Sequence, residues 1–134
     1  MKKIYIKTFL AILLVCTCLF ACKKKVITPA PTVVGTWELR QTISGNLSLS
    51  YPVGNGNKYQ FTADAHFTQF KNDTLTAQGT YAIKSNAETI NNVVYSELLL
   101  NNAQSGRVVQ AGDSTLSLGL EYNGGTASIY AKIQ

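Results

Sequence analysis

Few side chains in this chain can make or break bonds, and their positions limit what it can catalyse. Its 134 residues hold three cysteines, one histidine and seven carboxylates. Cys16, Cys18 and Cys22 all lie at or before position 22, so the remainder has no thiol for nucleophilic attack, a disulfide or zinc. A single histidine, His66, excludes a metal site built on several imidazoles. Asp64-Ala65-His66 has the composition of a base with its orienting acid. Asp64, however, falls where a hairpin turn is expected, and His66 opens the next strand. Asp73 and Asp113 also sit in turn sequences, and Glu38, Glu88, Glu97 and Glu121 are expected on solvated outer faces. With no converging acid–base set, no catalytic residue and no metal site is expected, and the chain reads as a non-enzyme. Gly54-Asn55-Gly56 and Gly124-Gly125 do not lead from a strand into a helix, as a phosphate-cradling loop must, so no cofactor is expected.

The net charge of +5 is concentrated at one end. Setting aside Lys2, Lys3 and Lys7 leaves nine bases against seven acids, and setting aside Lys23, Lys24 and Lys25 leaves six against seven. The remainder is nearly neutral. It has no basic stripe for a polyphosphate, so nucleic acid is not an expected partner.

Met1 to Lys7 carries the first three lysines, and Thr8 to Ala21 is an uncharged, mainly apolar run of fourteen residues. This is the layout of an export signal. As a helix the run reaches roughly 21 Å at 1.5 Å per residue, short of the hydrocarbon thickness of a bilayer. It ends in Leu19-Phe20-Ala21-Cys22, followed by Lys23-Lys24-Lys25, and resembles the lipobox of bacterial lipoproteins. The resemblance implies that Cys22 is the lipidation site. Its thiol takes a diacylglyceryl group, residues 1–21 are cleaved, and the new amine is acylated, with palmitate among the expected chains. Two or three acyl chains, at about 0.8 kcal/mol per buried CH₂, hold a protein stably on a membrane. The implied location is the cell envelope, lipid-anchored to the outer membrane. A basic rather than acidic run after Cys22 points to its periplasmic face. Lys23 to Lys25 read either as contacts to anionic lipid or as a solvated spacer. Residues 22–32 form a lipidated N-terminus and linker in which Pro29 and Pro31 favour an extended tether.

Residues 33–134 form the single domain. No stretch has apolar residues at helical spacing, and two-residue alternation dominates. Trp37, Leu39 and Ile43 share one face of a strand over Gly35 to Ser44. Tyr59 and Phe61 alternate with Lys58, Gln60 and Thr62, and Leu75, Ala77, Tyr81 and Ile83 share a face over Leu75 to Lys84. Leu116, Leu118, Leu120 and Tyr122 line one late strand, and Ala127, Ile129, Ala131 and Ile133 line the last. Further strands are expected near Leu47 to Tyr51, His66 to Lys71, Val93 to Leu100 and Arg107 to Gln110. Asn55-Gly56-Asn57, Asn72-Asp73, Gly112-Asp113 and Asn123-Gly124-Gly125 supply residues that tolerate positive φ in tight turns. The prediction is an all-β fold, a single antiparallel barrel of about eight strands, with a β-sandwich as the alternative.

Gly35-Thr36-Trp37 at the head of the first strand looks like the Gly-X-Trp signature of lipocalins. Tyr59-Gln60-Phe61-Thr62-Ala63-Asp64, Gly79-Thr80-Tyr81-Ala82-Ile83 and Asp113-Ser114-Thr115-Leu116-Ser117-Leu118 are similar to stretches of small bacterial lipocalin-like lipoprotein domains. The resemblance implies a lipocalin-like barrel whose tryptophan closes one end. Two readings of its aromatic residues stand. Trp37, Tyr59, Phe61, Phe67, Tyr81 and Tyr122 line a pocket for a small hydrophobic ligand, or they fill the core. The expected function is a membrane-anchored lipoprotein that binds such a ligand. The alternative is a structural or protein-interaction module of the envelope without a cavity.

Overall fold

The computed structural model describes residues 32–91, 93–104, 106–119 and 125–134. The expected leader, Cys22 and Tyr122 lie outside the described residues, as does the tether up to residue 31. Nine strands make up the described chain: β1 (Gly35–Ser44), β2 (Leu47–Ser50), β3 (Lys58–Phe61), β4 (His66–Lys71), β5 (Thr74–Ile90), β6 (Val93–Leu100), β7 (Arg107–Ala111), β8 (Thr115–Gly119) and β9 (Thr126–Lys132). They run as an antiparallel meander in the order β2-β1-β3-β4-β5-β6-β7-β8-β9, and β1 also pairs with β9. That last pairing, from Trp37 opposite Lys132 to Ser44 opposite Thr126, closes a ring of eight strands with β2 outside it. The result is an up-and-down barrel, the architecture that lipocalins share, and the sandwich alternative is set aside.

Local chemistry accounts for the hairpins. Lys71 faces Thr74 across a turn in which Asn72 and Asp73 have φ of 50° and 60°. Positive φ at both central positions is what a tight two-residue hairpin needs, and Asn and Asp tolerate it. Ser44 faces Leu47 across Gly45-Asn46, where Gly45 takes φ 56°.

Three faces of the strands differ from the plain alternation, and ladder geometry explains each. Leu39 faces Tyr130 while Gln41 faces Ile129, so Arg40 is an extra residue. This bulge turns Ile43 away from the face of Trp37 and Leu39. Gln69 faces Ala77 while Phe70 faces Leu75, so a second bulge at Thr76 moves Leu75 off the face of Ala77 and leaves it exposed. In β9 the core face is not Ala127, Ile129 and Ala131. Tyr130 lies opposite both Leu39 and Leu116, which are core residues, and shares their side.

The core is aromatic and dense. Trp37, Phe61, Leu116, Leu118 and Val33 are almost fully buried, with Tyr59, Phe67, Leu98 and Val109 around them. Tyr59 stacks on Phe61 at 5.5 Å between ring centres, and Phe61 meets the edge of Tyr81 at 5.1 Å. The end where β1 begins is sealed. There the Trp37 indole N–H donates to the Val33 carbonyl at 2.6 Å, and the Lys132 ammonium lies 5.3 Å from the indole ring.

Glu38 contradicts the expectation of a solvated outer carboxylate: only 5% of its side chain is exposed. The segment 51–57, between β2 and β3, covers it. The Gly54 and Gly56 amides donate to its two oxygens at 3.0 and 3.4 Å, and Arg40 pairs with it. Burial pushes the carboxyl's pKa up, but the Gly54 amide, Arg40 and the Gly56 amide together hold it below its usual value. Replacing Glu38 by alanine strands two amides and a half-buried guanidinium. It should cost on the order of 3 kcal/mol, with Glu38→Gln losing less because one acceptor survives. Denaturant unfolding of both variants checks the order and the size.

Candidate functional site

β1 ends, β3 and β9 begin, and β4 turns into β5 at the barrel end opposite the Trp37 seal. Here the packed interior gives way to an open pocket of about 470 Å³. Leu39, Tyr59 and Tyr130 from three different strands line it together with Tyr51, and Asn57, Lys58, Gln69, Lys71 and Asn72 contribute polar groups. The size lies within the roughly 300–1,000 Å³ of small-molecule clefts.

The pocket's shape follows from how β1 changes partners. Along one edge, Gly35 to Glu38 pairs with β3 and Gln41 to Ser44 pairs with β2. Segment 51–57 occupies the gap between them. The Tyr51 amide donates to the Arg40 carbonyl at 2.8 Å, the Leu39 amide to the Asn57 carbonyl at 2.9 Å, and the Asn55 side-chain amide to the Leu39 carbonyl at 2.8 Å. The segment is also tied to the β4–β5 turn, where the Asp73 amide donates to the Gly56 carbonyl at 2.9 Å and the Asn72 amide to Asn57 Oδ1 at 3.2 Å. Gly56 has φ 73°, and a Cβ there would collide with the Asp73 backbone and carboxylate. Only glycine fits this crossing. The Lys58 ammonium sits 2.6 Å from the Asp73 carboxylate on the same rim.

Tyr59 and Tyr130 meet edge to face, with ring centres 5.6 Å apart. Burial raises the pKa of Tyr59, and the positive charge of Arg107 works against it. Burial, with a smaller contribution from Tyr59, pushes Tyr130 up to about 12, again opposed by Arg107. Arg107 opens β7 at this same end, exposed and within electrostatic reach of both phenols. The arrangement offers an aromatic floor, hydroxyl groups and a rim carrying Lys71 and Arg107, which suits retention of a small molecule. Among the described residues no group of three or more His, Cys, Asp or Glu is placed to hold a metal ion.

Of the six aromatic residues singled out in the sequence, Tyr59 is the one among the described residues that lines this pocket. Phe61, Phe67 and Trp37 are buried beneath it, and Tyr81 is half-buried, its hydroxyl donating to the Thr62 carbonyl at 2.9 Å. Asp64 and His66 do meet, Oδ2 to Nδ1 at 3.1 Å, but as exposed groups of the β3–β4 turn at the sealed end. The side-chain hydrogen bond from Thr62 is the main reason the Asp64 carboxyl lies below its usual range. Tyr51 and Gln69 are pocket residues that alternation alone does not mark, whereas Leu39 lies on the apolar face it does mark. A signal for Tyr51 exists in Tyr51-Pro52, since a residue before proline is held extended.

Because the folded protein keeps Tyr130 neutral up to about 12 against an ordinary 10, its stabilising contribution is complete below pH 10. It is lost as pH rises from 10 through about 12. Denaturant unfolding across that range should show a steep fall in stability that Tyr130→Phe makes shallower. No family model, no curated protein and no solved structure matches the chain, so its activity is read from the barrel and its mouth.

Proposed function

We propose that this protein is a lipid-anchored binding module of the cell envelope whose barrel mouth takes one small hydrophobic ligand. The tyrosine-floored pocket carries this reading: Tyr51, Tyr59, Leu39 and Tyr130 present apolar surface while Asn57, Gln69 and Lys71 supply polar contacts. The ligand sits above the aromatic core rather than deep inside it, because Phe61, Trp37 and Leu116 already fill the lower barrel. Anchoring through Cys22 follows from the lipobox-like Leu19-Phe20-Ala21-Cys22.

A second reading has its own observation. β2 forms the outer edge of the sheet, Leu47 and Leu49 are exposed on it, and no charged residue occurs from Gln41 to Asn57. Charges usually protect such an edge from pairing with another chain. On this reading β2 docks a partner in the envelope, and membrane crosslinking recovers a protein whose yield falls in Leu47→Asp.

Fluorescence titration with an environment-sensitive dye, followed by competition with fatty acids and retinoids, separates the two. Ligand binding predicts one saturable site that a competitor empties, with affinity about tenfold weaker in Tyr51→Ala from the lost aromatic contact. Absence of a saturable site across the whole panel would contradict it.

A further inference from the structure

The hairpin of β5 and β6 extends past the sealed end of the barrel. Only Ser96 to Leu98 of β6 pairs with β7, so Val93 to Tyr95 at its tip have β5 as their one strand partner. Val93 and Val94 are 49% and 45% exposed. Between this tip and the β7–β8 turn runs a groove of about 820 Å³, lined by Val93, Val94, Tyr95, Ala111, Asp113 and, at one wall, Thr32. Thr32 is where the described chain begins. We propose that this groove holds the chain's own tether, residues Val26 to Pro31, and so fixes the sealed end of the barrel next to the membrane anchor.

Three observations support this occupant over any other. The first is continuity. Thr32 already forms part of the groove, so the residues immediately before it enter at no cost in long-range loop closure. The second is apolar match. Val26-Ile27-Thr28-Pro29-Ala30-Pro31 is uncharged, and its prolines favour the extended form that aromatic-lined grooves accept at low entropic cost. Tyr95 is the aromatic wall, and Val93 and Val94 are the surface to be covered. The third is charge. Among the described residues no Lys or Arg lines the groove, Asp113 does, and Glu88 stands opposite Tyr95 on the hairpin, while Lys23, Lys24 and Lys25 precede the apolar stretch. A docked tether sets the tyrosine-floored mouth on the side of the barrel away from the anchor. Docking itself needs neither acylation of Cys22 nor a ligand in the mouth.

Hydrogen exchange read by mass spectrometry on the full chain in detergent micelles tests it. The amides of Val26 to Thr32 should exchange at least about tenfold slower than an unstructured chain. Val94→Asp should release them while the barrel strands stay protected. Val26→Ser with Ile27→Ser, which leaves the barrel sequence untouched, should release the rest of the tether and speed exchange at Val93 to Tyr95. Free-chain exchange of the tether in the unsubstituted protein would overturn the proposal. So would protection that survives both variants, since that assigns the slowing to the micelle. Protection of Val93 and Val94 that appears only with phosphatidylethanolamine–phosphatidylglycerol vesicles, while the tether exchanges freely, would give the valines to lipid and overturn it as well.

Discussion

A buried carboxylate organises the functional end of this barrel. Glu38 sits on the outer face of β1, where an ionised group ordinarily stays in water, and segment 51–57 folds over it to supply the Gly54 and Gly56 amides. Burying a charge is costly unless it is hydrogen-bonded, and the segment that takes Glu38 out of water also brings the two amides that, with Arg40, match its charge. The same segment places Tyr51 and Asn57 at the pocket and ties to the β4–β5 turn. One ion and its donors thus help to hold the part of the mouth that Tyr51 and Asn57 line.

The two ends of the barrel do different work. At one, Val33, Trp37 and Phe61 close the interior, and the Trp37 N–H has its acceptor within four residues of chain. At the other, β1 changes its partner from β3 to β2 near the Arg40 bulge, and the interior opens into the pocket. A full core and an open rim are compatible in a ring of eight strands, whose interior is just wide enough for its own side chains to fill or for one small ligand. Here the lower barrel is filled by its own side chains and the mouth holds the open pocket.

Much of this architecture was legible in the sequence. Alternation in Lys58 to Thr62 and in Leu116 to Leu118 marks residues that the barrel buries, and Asn72-Asp73 marks a turn with positive φ at both positions. The limits are equally specific. Alternation carries no sign of an inserted residue, so the bulges at Arg40 and Thr76 reverse the faces of Ile43 and Leu75 unannounced. In β9 both faces carry apolar residues, and the partners of Tyr130 rather than its own strand decide which points inward. Glu38 was illegible as a buried group because its donors lie sixteen and eighteen residues away, in a segment whose path only the closed barrel fixes. The pocket inherits that limit, since Tyr51 and Gln69 come together with Tyr130 only after β1 and β9 pair.

The most direct test of this organisation is a carboxyl-detected NMR titration of Glu38 with the Gly54 and Gly56 amides followed in the same samples. If the buried anion holds the segment, Glu38 titrates below the ordinary 4.5, and both glycine amide shifts move with its midpoint. A carboxyl titrating at or above 4.5, with glycine amides indifferent to it, would show that the segment is held by something else.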